Sequence, residues 1–206
     1  MNDVWPLVHA ERDALIEFLT SLEPSQWDEP SLCEGWTVHD VVAHVVATAK
    51  TTRVGFVVGL ARARFDFDRE NARGLARERG TTPQETLDRL RAVRHRTSTP
   101  PAPLDTRLVE AIVHGEDIRR PLGATHAYPA DAVERALRLQ ARTAASFGGG
   151  KQRVAGLALI PDDASYSIGE GLAVTGPALS LLLAISGRTA ALADLDGPGA
   201  PELARR

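Results

Sequence analysis

The stretch SLCEGWTVHDVVAHVV, residues 31–46, decides how the chain folds. Gly35-Trp36 leads into Thr37, a residue suited to capping a helix, and the run that follows is rich in valine. At 100° per residue, Thr37, Asp40, His44, Thr48 and Thr51 fall in one narrow row. Val41 and Val45 flank that row on one side, Ala43 and Ala47 on the other. His39 points about 140° away from His44 and lies outside it. The reading predicts a long helix from Thr37 to about Arg64. An imidazole row set in valine must find partners, because an unsatisfied buried polar group costs on the order of 1–3 kcal/mol.

A second such row lies in DTRLVEAIVHGEDIRRPLG, residues 105–123. Glu110 and His114 are four apart and Asp117 is three further, so all three share a face. Val109 and Val113 border it on one side, Ala111 and Ile118 on the other, and Leu108 and Ile112 cover the far face. Two readings stay open at this point. Asp40 with His44, and Glu110 with His114, could satisfy each other as simple hydrogen-bonded pairs. Alternatively, two imidazoles and one carboxylate from two long helices match the His₂Glu donor set of an open zinc site inside a helical bundle.

The remaining elements extend outward from these two helices. Residues 3–22 have helical periodicity ending before Pro24, and Asn71–Arg79 reads as a shorter helix. Thr82-Pro83 with Glu85 supplies an N-cap, a proline at the first helical position and an acid in the first turn, predicting a helix over 83–96. STPPAPLD, residues 98–105, is a linker, and Asp105 opens a helix that Pro121 and Gly123 end. Residues 130–147 form one more helix, closed by Gly148-Gly149-Gly150. Beyond it RVAGLALIP, ASYSIGE and LAVTG read as short strands and PALSLLLAISGR as a helix. The expected division is a helical domain over 1–150 and a small α+β domain over 151–206.

Composition bounds the function. Of 206 residues, 43% are hydrophobic and 25% charged, an ordinary globular balance with room for a core. A net charge of −3 offers no general attraction to nucleic acid or anionic lipid, so neither is an expected partner. Cys33 is the only cysteine, which excludes an intrachain disulfide and a cysteine zinc cluster. The beginning MNDVWPLVHAERD lacks the pattern of a signal peptide, and the run LAVTGPALSLLLAIS is too short and interrupted to span a bilayer, so the expected location is cytoplasmic. The ten arginines between Arg62 and Arg96 alternate with six acids, the pattern of a solvated face that could also meet an anionic substrate.

Three segments in order, SLCEGWTVHDVVAHV, VEAIVHGEDIRRPLG and AGLALIPDDASYSIGEGLAVTGPALSLLLAISGRTAALADLDGPG, resemble the mycothiol-dependent maleylpyruvate isomerase family over about residues 10 to 200. The resemblance implies an α+β fold: a DinB-like four-helix bundle followed by a small C-terminal β-strand/helix domain. It implies that His44, Glu110 and His114 bind a divalent metal, usually zinc, and leaves Asp40 and Asp117 as outer partners that hold imidazole tautomers or cap nearby backbone. It further implies mycothiol as cosubstrate. Its thiolate adds to a conjugated cis double bond, rotation follows, and elimination returns the trans isomer. The function so implied is a metal-binding, thiol-dependent isomerase or S-transferase acting on a small electrophile, as monomer or homodimer. The catalytic nucleophile is then the sulfur of the low-molecular-weight thiol, with Cys33 a small buried hydrophobe and Trp36 a packing residue. The competing expectation is a non-catalytic small-ligand carrier with a structural metal.

Overall fold

The computed structural model describes residues 3–206, which divide into two compact units, one ending at His126 and one spanning Ala127–Arg206. In the first unit α1 (Trp5–Thr20), α2 (Val38–Lys50), α5 (Pro83–Val93) and α6 (Thr106–Arg119) form a closed ring of neighbours, with α1 and α2 each packing on both α5 and α6. α3 (Arg53–Arg62) and α4 (Phe67–Glu78) lie outside this ring, α4 against α2. The fold is α+β and of the DinB-like bundle type expected above.

α2 begins where its cap chemistry directs. Gly35 takes a φ of +76°, which suits glycine, and the chain turns back so that Pro30 pairs with Thr37. The Thr37 hydroxyl accepts from the Asp40 amide while the Asp40 carboxylate accepts from the Thr37 amide, a reciprocal cap that satisfies two otherwise orphaned donors. The helix then buries Val41, Val42, Val45 and Val46 against Leu15 and Leu19 of α1, Leu87 and Leu90 of α5, and Ile118 of α6. Each such side chain contributes about 1.5–3 kcal/mol of burial. This density of contact makes α2 the centre of the bundle.

The single long helix expected from Thr37 to Arg64 is two helices. α2 ends at Lys50, and Thr51 and Thr52 are extended, with ψ of 118° and 166°. Side-chain hydrogen bonds compete with the helical ladder here. Thr51 donates its hydroxyl to the Ala47 carbonyl, and the Thr52 hydroxyl accepts from the Gly55 amide to start α3. α5 begins as expected, the Thr82 hydroxyl accepting from the Glu85 amide. Glu85 itself bonds back to Thr81.

The second unit holds α7 (Ala130–Gln140), β1 (Leu157–Pro161), β2 (Leu172–Gly176), α8 (Ala178–Ile185) and α9 (Ala200–Ala204). α7 packs on α8, so the compact units divide near 126 rather than at the glycine run near 150. The helix expected over 130–147 stops at Gln140 and resumes only as a 3-10 turn at Ala145–Phe147. At Gly150 a side chain would press on Ile185 of α8, its Cβ 2.7 Å from the Ile185 carbonyl. The glycine run therefore lets the chain pass close to α8 within one unit. β1 and β2 pair in parallel, Leu157 opposite Leu172 and Leu159 opposite Val174. The expected strand ASYSIGE reduces to one antiparallel bridge, Ile168 to Leu159, because Gly169 and Gly171 turn the chain away with φ of +82° and +130°. Among the described residues no helix is long and apolar enough to cross a membrane.

Candidate metal centre

The two polar rows of the sequence converge. α2 presents His44 and α6 presents Glu110 and His114, and the two imidazole rings meet edge to face with centroids 4.7 Å apart. Nε2 of His44 lies 3.7 Å and Nε2 of His114 3.6 Å from the same Glu110 oxygen, Oε2. Those separations exceed a charge-assisted hydrogen bond, which closes to about 2.7–2.9 Å. Three donors each about 2.1 Å from a tetrahedral ion stand about 3.4 Å from one another, close to the spacing found. Glu110 Oε2 is buried and accepts no hydrogen bond among the described residues. A buried acceptor facing two ring nitrogens at this distance fits a divalent cation, and His44, Glu110 and His114 would hold it.

The charges of the three groups differ. Burial pushes the His44 pKa down to about 4, with His114 next to it acting in the same direction, so His44 is neutral and can offer a lone pair. Burial also opposes charge on His114. The bond to Asp117, the contact with Cys33 and the nearby Glu110 override that effect and raise its pKa to about 10. Burial would raise the Glu110 pKa, yet His114, Arg107 and His44 together hold it below the ordinary carboxylate value. The metal-free centre therefore carries a protonated His114 beside an ionised Glu110.

Asp117 and Asp40 take different places. Asp117 is fully buried, and its Oδ2 lies 2.8 Å from His114 Nδ1, which leaves Nε2 aimed at Glu110. Asp40 does not reach His44; it caps Thr37 and accepts from Arg79 Nε at 2.7 Å. Among the described residues no group bonds Nδ1 of His44, and the ring is held instead by packing, with Trp36 at a centroid distance of 5.2 Å. His39 faces α5, its Nε2 2.7 Å from the Thr86 hydroxyl.

Cys33 belongs to this neighbourhood, which sequence reasoning did not anticipate. Its Sγ is 3.1 Å from Asp117 Oδ2, and the Leu32 amide donates to the Asp117 carbonyl, so the turn before α2 is tied to α6. Cys33, His114 and Asp117 form a second group of potential donors, but there His114 is engaged through Nδ1. No local signal connects residues 84 positions apart.

A cleft of about 770 Å³ opens at His44 between α2, α3 and α4. His44 and Lys50 of α2, Phe56 and Arg62 of α3, and Arg73 and Arg77 of α4 line it. Three of the ten arginines thus face a cleft rather than open solvent. Lys50 also pairs with the buried Glu78 at 2.7 Å.

Residues 8–105 match the family model described as the mycothiol maleylpyruvate isomerase N-terminal domain. That match includes His44 and ends before Glu110 and His114. Two crystal structures share the fold: one of the mycothiol-dependent maleylpyruvate isomerase, with TM-score 0.61 and 17% identity, and one of a histidine-to-alanine mutant of it, with TM-score 0.64 and 16% identity. Each alignment covers 95% of this chain and 92% of the other. No curated protein matches the chain in sequence.

Proposed function

We propose, from the match of residues 8–105 to the mycothiol maleylpyruvate isomerase N-terminal domain and from the geometry above, that this chain is a metal-dependent, mycothiol-dependent enzyme acting on a small electrophile, as an isomerase or an S-transferase. The observation that carries the reading is the Glu110 carboxylate oxygen, buried without a hydrogen bond and equidistant from two imidazole nitrogens. A divalent ion, zinc by the donor set, would supply the positive charge that keeps a thiol ionised at neutral pH. The chain's own residues prepare that place. His44 stays neutral through burial, His114 is oriented from behind by Asp117, and Trp36 packs on the His44 ring. The cleft bordering His44 offers apolar walls and cationic side chains to the reacting molecules.

Three side chains in the donor group favour a centre with an open position over a closed, purely structural one. The test is metal analysis followed by titration of the cobalt-substituted protein with mycothiol. A sulfur-to-cobalt charge-transfer band is expected. Stoichiometric cobalt with no such band at any thiol concentration would favour a structural metal in a ligand carrier.

A further inference from the structure

Arg107 lies one turn before Glu110 on α6 and is buried, with 5% of its surface exposed. Among the described residues its donors reach only the Thr48 carbonyl at 3.3 Å and the Thr106 hydroxyl at 3.5 Å. Among the described residues no carboxylate stands within ion-pair distance of it. A buried cation with two long hydrogen bonds to neutral groups is unfavourable, since taking an unpaired charge out of water carries a desolvation cost that neutral acceptors do not offset.

The neighbours do not supply its counter-charge elsewhere. Arg107 faces a cavity of about 20 Å³, room for about one water, that is also lined by Glu110, Arg12, Glu11 and Thr48. Glu11 is committed to His126 at 2.8 Å. Arg12, itself a buried cation, donates to the Arg94 and Arg96 carbonyls just beyond α5. Glu110 is the negative charge left for Arg107 to face, and Glu110 also serves the metal centre.

We propose that Arg107 is a positioning residue of the centre: acting through Glu110, its buried guanidinium offsets part of the carboxylate charge, so that the open position of a bound divalent ion selects an anionic donor over a neutral one. The inference rests on the metal reading above. The guanidinium repels the cation and attracts an anion placed on it, so the two affinities respond to its charge with opposite sign. One charge several Å away in a medium of intermediate dielectric changes each by on the order of tenfold.

The experiment measures Co²⁺ affinity by chelator competition, and azide affinity of the cobalt-loaded protein by its visible spectrum. It compares the wild type with Arg107→Gln, which keeps a donor for the Thr48 carbonyl, and Arg107→Lys, which keeps the charge. His44→Ala serves as the control for the site. The expected result is that Arg107→Gln binds Co²⁺ more tightly and azide more weakly, each on the order of tenfold, while Arg107→Lys resembles the wild type. A merely loosened site would weaken both. Affinities that are unchanged or fall together in Arg107→Gln overturn the proposal. So does an Arg107→Lys variant as altered as the glutamine one, or an Arg107→Gln variant unfolded by circular dichroism, which would assign the residue to folding alone. Wild-type protein that fails to bind Co²⁺, or binds it equally after His44→Ala, overturns the metal reading itself.

Discussion

His114 Nδ1 stands 2.8 Å from the Asp117 carboxylate, three residues further along α6, and the same carboxylate oxygen lies 3.1 Å from Cys33 Sγ. One fully buried acid thus orients a ring of the candidate centre and anchors the turn that leads into α2. The helix carrying Glu110 and His114 is tied by this acid to the segment that starts the helix carrying His44.

This relay ranks three substitutions. His114→Ala removes a donor and is expected to abolish both metal retention and thiol binding. Asp117→Ala leaves the donors in place and should weaken metal affinity by about 10 to 100-fold. Cys33→Ser keeps a donor beside Asp117 and should leave metal content and turnover near normal. Metal content by mass spectrometry and turnover with a low-molecular-weight thiol measure all three. A dead Cys33→Ser variant with full metal content would make the protein thiol the nucleophile and sink the cosubstrate mechanism.

Metal should stabilise the bundle by mass action. A ligand at 100 times its Kd adds about 2.7 kcal/mol to a fold that alone binds it. The thermal midpoint is therefore expected to fall when a chelator is added to metal-loaded protein. His44→Ala should melt at the same temperature with and without chelator. An unchanged wild-type midpoint despite measured binding would count against a site formed in the native state.

Asp40 gives a pH signature independent of the metal. Burial opposes its ionisation, but the Thr37 bonds and Arg79 prevail and hold its pKa below the ordinary 3.8. A depressed native pKa means that its stabilisation is complete above the unfolded value and is lost as pH falls through the native one. Asp40→Asn should cost roughly 1 kcal/mol at pH 7, and the gap should begin to narrow as pH falls below about 3.8. Urea denaturation at pH 7 and at pH 3 reads the difference. A gap of equal size at both would show that the carboxylate charge contributes nothing.

Much of this architecture was legible in the sequence because it is local. The caps at Thr37 and at Thr82-Pro83 depend on residues three apart, and the rows of His44 and of Glu110 with His114 follow from helical periodicity. Periodicity states which face of a helix is buried, and it placed both polar rows in apolar surroundings before any neighbour was known. It could not announce the break after Lys50, where threonine hydroxyls take over from the helical ladder, nor that α7 belongs with α8 beyond the glycine run. Cys33 against Asp117 was invisible, and so was the small cavity in which Arg107 is left with only Glu110 to face. Those relationships join positions distant in sequence or depend on which side chains crowd a buried charge. Only the packing of α1, α2 and the turn before α2 against α6 decides them, because the energy of a buried polar group is set by what surrounds it and not by its place in the chain.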